Sequence, residues 1–506
     1  MKFNPLTLID GYKVGHREQY PEGTEFVFSN FTARSDKLSN VPAEDRDGVV
    51  FFGLQYLILD LLIREWNDGF FLRNRDDVVG EYKRRVDGYL GGDIDVSHIT
   101  ELWELGYLPV RIRALKEGTV VPYKVPMLTV ENTLPEFFWL TNFIETILSN
   151  YLWKPCTSAT TALFYRKLFY KNAVETTGDA ATVPIQAHDF SMRGMAGPQD
   201  AAMSGAAHLT SFIGTDTLPA IDLIEQFYAP VSPAGKAAPI GVSIPATEHS
   251  VMCAGGEVNE AETFDRLIFD VYPGGLVSVV SDTWDFWSII TEYLPSRKDR
   301  ILARDGKVVI RPDSGDPVNI ICGDPAAPVG SPEYRGAIEM LYETFGGTVS
   351  EQGYIVLADQ IGLIYGDSIT QQRAKTIMNL LRAKGYATTN VVLGVGSFTY
   401  EYVTRDCHGF AMKATYATVN GEGRMLFKDP KTDSGIKKSL RGKFSVYDCP
   451  DNGLVVFDGQ HTTEGCIMET VFEDGALTRF QGIDEIRQWL IAQLPKSDCQ
   501  IIKDAA

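Results

Sequence analysis

Lys307-Val-Val-Ile-Arg-Pro-Asp-Ser-Gly-Asp-Pro317 is the stretch on which the reading of the fold turns. Val308 to Ile310 are β-branched and continuous, the composition of a short buried strand. Pro312 and Gly315 then turn the chain. The turn presents Arg311 and Asp313 two residues apart, so both can lean into one pocket at the strand's carboxyl end. Parallel α/β folds bind ligands at that end of their strands. A fixed cation beside a carboxylate suits a substrate that carries an anionic group together with hydroxyls or an amide. A strand followed by a polar turn with a surface ion pair looks the same in isolation, so the flanking sequence has to separate the two.

On both sides, helical segments alternate with short strands that end in polar residues. Thr157 to Glu175 reads as a helix and Gln186-Ala-His-Asp-Phe190 as a strand end. Ala201 to Phe212 reads as a helix before Gly214-Thr-Asp-Thr217. Gly241-Val-Ser-Ile-Pro245 leads to Glu248-His249, and Ala261 to Phe269 is helical. Val277 to Asp282, Val308 to Asp313, Leu363 to Asp367 and Val391 to Gly396 complete the series. Ser368-Ile-Thr-Gln371 fits a capping box. Ile377, Leu380 and Leu381 share one helical face, and Gly385 stops that helix. Strand, polar tip and helix recur about seven times over roughly 240 residues, near the size of a (β/α) barrel. A doubly wound sheet is the alternative. In a barrel, Asp189, Asp216, His249, Asp282, Arg311, Asp313 and Asp367 face one mouth. Taken singly, Asp216 can be a helix cap and His249 a half-buried structural histidine.

The flanks read differently. Glu25 to Phe31 alternates as a strand ending near Arg34, and Val49 to Leu62 passes from strand to helix. Tyr107 to Val130 holds short strands, and Pro135 opens an apolar helix to about Trp153. After about residue 400 the pattern is mixed, with a last helix from Ile483 to Leu494. The expected organisation is an α/β barrel over 156–399 and a mixed α+β domain built from 1–155 with 400–506.

With 506 residues, 44% of them hydrophobic, the chain suffices for two or three domains with a sizeable core. A net charge of −19 argues against nucleic acid or an anionic membrane as partner. Cations that converge locally can still bind phosphates. The seven cysteines are scattered and no CxxC occurs, which fits reduced thiols in a cytoplasmic protein. The N-terminus lacks the apolar core of a signal peptide. Phe137 to Trp153, the most apolar segment, is interrupted by Asn142, Glu145 and Asn150 and reads as a buried helix. HExxH, GxSxG and Walker A patterns do not occur.

Gly394-Val-Gly396-Ser397 precedes a helical run from Phe398 to Arg405, and backbone N–H groups at such a start bind phosphate. A structural turn accounts for it equally well. Arg405, Lys413, Lys428, Lys431, Lys437, Lys438, Arg441 and Lys443 gather downstream, either for polyphosphate or as a solvated basic face. Phe190, with Arg193 three residues on, can stack a small heteroaromatic ring or simply belong to the core.

Together these stretches resemble the nicotinamide phosphoribosyltransferases of the type II phosphoribosyltransferase family. The resemblance is carried by Asp10-Gly-Tyr-Lys-Val-Gly-His16, Phe52-Gly-Leu-Gln-Tyr56, Thr129-Val-Glu-Asn-Thr133, Trp139 to Leu148 and His188-Asp-Phe190 with Arg193-Gly194. It continues through Gly214-Thr-Asp-Thr217, Glu248-His-Ser250, Val280-Ser-Asp282, Ile310 to Gly315, Gly366-Asp367, Thr404-Arg-Asp406 and Phe427-Lys-Asp-Pro430. It implies an irregular barrel plus a mixed domain, and nicotinamide mononucleotide synthesis from nicotinamide and phosphoribosyl pyrophosphate in NAD salvage. It further implies a cytoplasmic homodimer with sites at the subunit interface.

By that resemblance, Phe190 would stack the nicotinamide ring, with Tyr12 of a second subunit on its other face. Arg311 would bond the amide oxygen and Asp216 the amide nitrogen. Asp313 would hold ribose hydroxyls, with Gly366 and Asp367 nearby, and Gly396 and Ser397 would cradle the 5-phosphate. Arg34, Arg193, Arg405, Lys413 and Lys428 would surround phosphates. His249 would be phosphorylated by ATP, and Asp282 would support it or help hold Mg²⁺. Displacing pyrophosphate from an anomeric carbon requires carboxylates near the ribose and cations around the leaving group. A carboxylate at Asp216 accepts from a carboxamide but repels nicotinate, so nicotinamide is the expected base. Nicotinate phosphoribosyl transfer and a catalytically idle dimeric binding protein are the alternatives. Three positions depart from the pattern: the loop Gly394-Val-Gly-Ser397 carries fewer glycines, Ala411 replaces a serine, and Lys431 to Lys437 differs from the lysine stretch.

Overall fold

A computed structural model of the chain describes residues 3–232, 238–366, 368–427, 440–450, 453–457 and 464–493. Two compact units are present. Described residues within 3–160, 223–232 and 404–493 form one, and those within 161–222 and 238–403 the other.

The second unit is built on six parallel strands: β1 Ala187–Asp189, β2 Gly214–Thr215, β3 Val277–Val280, β4 Val308–Arg311, β5 Ile361–Tyr365 and β6 Val391–Val395. They pair in the order β2-β1-β6-β5-β4-β3. Leu363 stands opposite both Ile310 and Val391, which fixes the central register. Burial is continuous through β3, through Val308 to Ile310 of β4 and through β5 without alternating, as in strands covered on both faces.

The expected strand at Gly241 to Pro245 forms only single parallel bridges, from Val242 to Gly214 and from Ala246 to Ser278. Pro245 has no N–H to give a ladder, but its carbonyl accepts from Ser278 N at 2.8 Å, and Thr247 N donates to Ser278 O at 3.0 Å. This segment therefore ties the β2 edge to the β3 edge. The sheet is an irregular (β/α) barrel and not an open doubly wound sheet. All strands run the same way, so their carboxyl ends share one rim.

The first unit carries a seven-stranded sheet, ordered Glu422–Met425, Phe410–Val419, Thr24–Ala33, Pro126–Asn132, Val110–Ala114, Glu469–Glu473 and Ala476–Leu477. Its pairings are antiparallel. One continuous core joins Phe31, Ile112, Leu128 and Phe410 of the sheet to Leu57, Trp66, Leu102 and Leu148 of the helices. Residues 223–232, a segment the strand–helix texture does not single out, belong here for polar reasons. Tyr228 Oη donates to Glu117 at 3.0 Å, and Val231 N donates to Asp484 at 3.1 Å.

The helices read separately up to Trp153 and from Thr157 are one, Glu145–Thr177, with Pro155 inside. A proline costs one helical hydrogen bond but need not end a helix whose buried stripe continues. Leu148, Leu152, Cys156 and Ala159 are all fully buried at three- and four-residue spacing through that point. No described helix is long and apolar enough to cross a membrane.

Candidate active site

The rim of the second unit gathers most of the polar tips. Arg311 ends β4, and its Nη2 lies 3.5 Å from Asp313 Oδ2. Its Nε is buried with no hydrogen-bond partner among the described residues. A buried guanidinium donor left unspent is costly unless a ligand uses it. Gly366, just past β5, makes room for this pair: a Cβ there would stand 2.1 Å from Asp313 Oδ1. A Cβ on Gly394 in β6 would likewise come within 2.8 Å of the Phe190 ring. Both glycines let functional side chains lie directly over the strand ends.

Asp282 joins two tips. Its Oδ1 lies 3.1 Å from His249 Nε2. Its Oδ2 accepts from the backbone of Asp313 at 2.8 Å and of Ser314 at 2.7 Å, and from the Ser314 hydroxyl. Burial alone would raise the Asp282 pKa, but these donors more than offset it and hold the carboxyl below its usual range. The turn of Arg311 to Gly315 is thus fastened to the carboxylate that orients His249. His249 itself opens the helix His249–Gly255 and is half exposed.

Asp216 follows β2, its N–H held by Asp189 O at 2.9 Å. Its Oδ1 lies 2.9 Å from His188 Nε2 and accepts from Ser243 Oγ at 2.6 Å. Burial pushes this carboxyl up, yet His188 and Ser243, with Arg311 nearby, bring it below the ordinary value. Phe190 donates its N–H to Val395 O at 3.0 Å, which pins it beside β6. Its ring lies 4.5 Å from that of His188 at 36°. Gly396 caps the short helix Ser397–Glu401, and Ser397 packs on Gly194, next to the exposed Arg193. This rim therefore carries Phe190, Arg193, Asp216, His249, Asp282, Arg311, Asp313, Gly366, Gly396 and Ser397.

Tyr12, Arg34, Arg405 and Lys413 occupy a different place, a cavity of about 330 Å³ within the first unit. Asp10, Glu145 and Trp153 also line it, as does Ala411. Burial, and after it repulsion from Arg405, push the Arg34 pKa down, with Asp406 opposing. Asp367 and Lys428 lie outside the described residues.

His188, Ser243 and Ser314 were not singled out from the sequence. The sequence reads a strand end at Gln186 to Phe190, in which alternation puts residues 188 and 190 on one side, so a signal for His188 existed. Ser243 and Ser314 carried none, because their importance lies in which carboxylate they bond.

A curled parallel sheet with this rim, in a chain that also carries an antiparallel-sheet unit, is the type II phosphoribosyltransferase fold. Two solved structures share it: the nicotinate-nucleotide pyrophosphorylase of Pyrococcus furiosus (TM-score 0.55, 15% identity, 98% of this chain and 97% of that one), and human nicotinic acid phosphoribosyltransferase (TM-score 0.53, 14% identity, 97% and 95%). Residues 185–475 match the nicotinate phosphoribosyltransferase (NAPRTase) family, and residues 4–71 match the nicotinamide phosphoribosyltransferase N-terminal domain. The chain is 54% identical over 502 residues to the nicotinamide phosphoribosyltransferase of Acinetobacter baylyi, covering 97% of this chain and 98% of that one. It is 32% identical over 494 residues to that of Xanthomonas campestris, covering 96% and 97%. The chain belongs to the nicotinate phosphoribosyltransferase family and is a pentosyltransferase.

Proposed function

We propose that the chain transfers the phosphoribosyl group of phosphoribosyl pyrophosphate to nicotinamide in NAD salvage, releasing nicotinamide mononucleotide and pyrophosphate. One observation carries the reading. Asp216 has an oxygen, Oδ2, with no hydrogen bond among the described residues, while Arg311 has a buried Nε donor with none. An unspent acceptor and an unspent donor suit the N–H and C=O of one carboxamide. A nicotinate carboxylate would meet the ionised Asp216 and be repelled, which disfavours nicotinate transfer.

In the reaction the pyridine nitrogen attacks the anomeric carbon, and the bond from that carbon to the pyrophosphate oxygen breaks. The nucleophile is a neutral lone pair, so no base has to remove a proton. The protein's work is orientation and charge. Phe190 supplies the stacking face. Asp313 lies where it can hold ribose hydroxyls and balance positive charge growing on the sugar. Gly366, Gly396 and Ser397 line the same rim, and Arg193 offers an exposed guanidinium.

His249 we assign as the group phosphorylated by ATP. With Nε2–H given to Asp282, the lone pair on Nδ1 is free to accept the phosphoryl group. Asp282 already receives three donors on Oδ2 and the His249 contact on Oδ1, which favours an orienting role over metal ligation. Among the described residues no three His, Cys, Asp or Glu side chains converge as a metal cage. Mg²⁺ takes one or two carboxylates plus substrate phosphates and waters. Asp313 is the carboxylate that would hold it, with Asp282 committed to His249 and the 313–314 turn, and the ion would neutralise charge on the pyrophosphate.

The cavity of Tyr12, Arg34, Arg405 and Lys413 we read as a phosphate-binding half-site that a second copy completes, making a homodimer. Tyr12 has 64% of its surface exposed, free to cover a neighbour's base. Supporting a cytoplasmic location, the six described cysteines are all free thiols. The test is an assay for nicotinamide mononucleotide with nicotinamide, phosphoribosyl pyrophosphate and Mg²⁺, with and without ATP. Product that rises with ATP is expected; no product under either condition overturns the reading.

A further inference from the structure

We propose that His188 is a positioning residue that, together with Ser243, fixes which oxygen of Asp216 the base meets and so sets the preference for a neutral amide over a carboxylate. The inference rests on the base-site reading given above.

His188 is buried, and it touches both parts of that base site. Its Nε2 lies 2.9 Å from Asp216 Oδ1, and its ring lies 4.5 Å from Phe190. Phe190 directly follows β1 and its ring packs on that of His188, so one side chain links the stacking plane to the acceptor. Ser243 Oγ donates to the same Oδ1 at 2.6 Å from the opposite sequence segment, residues 242–247. A carboxylate oxygen with two donors has its in-plane lone pairs occupied. Oδ2 is the oxygen left to meet a base.

The two donors also decide how Asp216 relates to Arg311. A carboxylate held by one oxygen cannot turn freely toward the nearby guanidinium and spend the donor that the carboxamide oxygen needs. Removing His188 frees that rotation and withdraws a donor from a half-buried anion, which weakens its charge. Both changes act on base recognition. Neither touches the anion-binding residues Arg193 and Ser397.

The experiment compares His188→Ala, His188→Gln and Ser243→Ala with the unaltered protein for KM of nicotinamide, KM of phosphoribosyl pyrophosphate, and the ratio of kcat/KM for nicotinamide over nicotinate. For His188→Ala, the nicotinamide KM should rise tenfold or more while the phosphoribosyl pyrophosphate KM stays within about twofold, and the preference for nicotinamide should narrow at least tenfold. His188→Gln keeps a donor near the Nε2 position and should restore most of the loss. Ser243 is exposed, so Ser243→Ala leaves the core intact; it should raise the nicotinamide KM two- to fivefold.

Equal rises in both KM values, failure of glutamine to rescue, or an unchanged base ratio in His188→Ala and Ser243→Ala would overturn the proposal. If His188→Ala does not fold, the glutamine and Ser243→Ala arms decide. A wild-type protein that makes no nicotinamide mononucleotide would instead sink the underlying functional reading, and a preference intact in the variants sinks only this one.

Discussion

His249 Nε2 and Asp282 Oδ1 stand 3.1 Å apart, while the other oxygen of Asp282 holds the backbone of Asp313 and Ser314. One carboxylate thus orients the proposed phosphoryl acceptor and fastens the turn that carries Arg311. A phosphate on His249 would place negative charge beside Asp282 and bear on its grip on that turn. His249→Ala should abolish ATP stimulation and leave weak basal transfer, read as nicotinamide mononucleotide formed with and without ATP. Full stimulation in that variant would remove His249 from the role.

Asp282→Asn should lose ATP stimulation and also stability. The amide accepts less strongly than the carboxylate from three donors, and hydrogen bonds to charged groups contribute about 1.5–3 kcal/mol each. A loss of a few kcal/mol in denaturant unfolding is expected. Because its folded pKa is depressed, Asp282 adds stability above its unfolded pKa, about 3.9, and that stability is lost as pH falls through the folded value.

Gly366→Ala places a Cβ 2.1 Å from Asp313 Oδ1, so Asp313 has to move. The expected result is at least a tenfold fall in kcat/KM, about 1.4 kcal/mol of transition-state binding. Arg311→Lys keeps the charge but loses the planar fork. It should raise the nicotinamide KM more than that of phosphoribosyl pyrophosphate. The opposite pattern would assign Arg311 to the phosphate half of the substrate.

Three buried histidines should shape the acid response. Burial pushes His98, His208 and His408 each down to about 4. Between that value and the unfolded pKa near 6.5 the unfolded chain binds more protons, so stability rises with pH. Unfolding free energy should be constant near neutrality and fall as pH drops from about 6.5 toward 4, by up to ~1.4 kcal/mol per pH unit for each histidine. A flat profile across that window would mean the histidines are charged in the folded state.

The first-unit cavity should respond to anions. Pyrophosphate should raise the melting temperature, and Arg34→Ala or Arg405→Ala should abolish the shift. Sedimentation should show a dimer; an active monomer would contradict a site shared through Tyr12.

Much of this was legible because the barrel repeats one pattern. Asp282 and Arg311 each follow a largely β-branched run too short for a helix, and parallel strands force such tips onto one rim; Asp216 follows only the two-residue strand Gly214–Thr215. What the pattern hid was tertiary. The helix to Trp153 and the helix from Thr157 read as two, yet the buried stripe from Leu148 to Ala159 carries one helix through Pro155. Gly241 to Pro245 reads as a full strand, yet Pro245 lacks the donor and leaves single bridges. Ser243 and Ser314 matter through the carboxylates they reach, and no local sequence feature encodes a partner 27 or 32 residues away.

The central claim is that an ionised Asp216 and a donor on Arg311 select nicotinamide. A competition assay with phosphoribosyl pyrophosphate, equimolar nicotinamide and nicotinate, and both mononucleotide products measured tests it most directly. Nicotinamide mononucleotide should exceed nicotinate mononucleotide by about 100-fold or more, and Asp216→Ala should collapse that ratio. Equal use of the two bases by the unaltered protein would contradict the account.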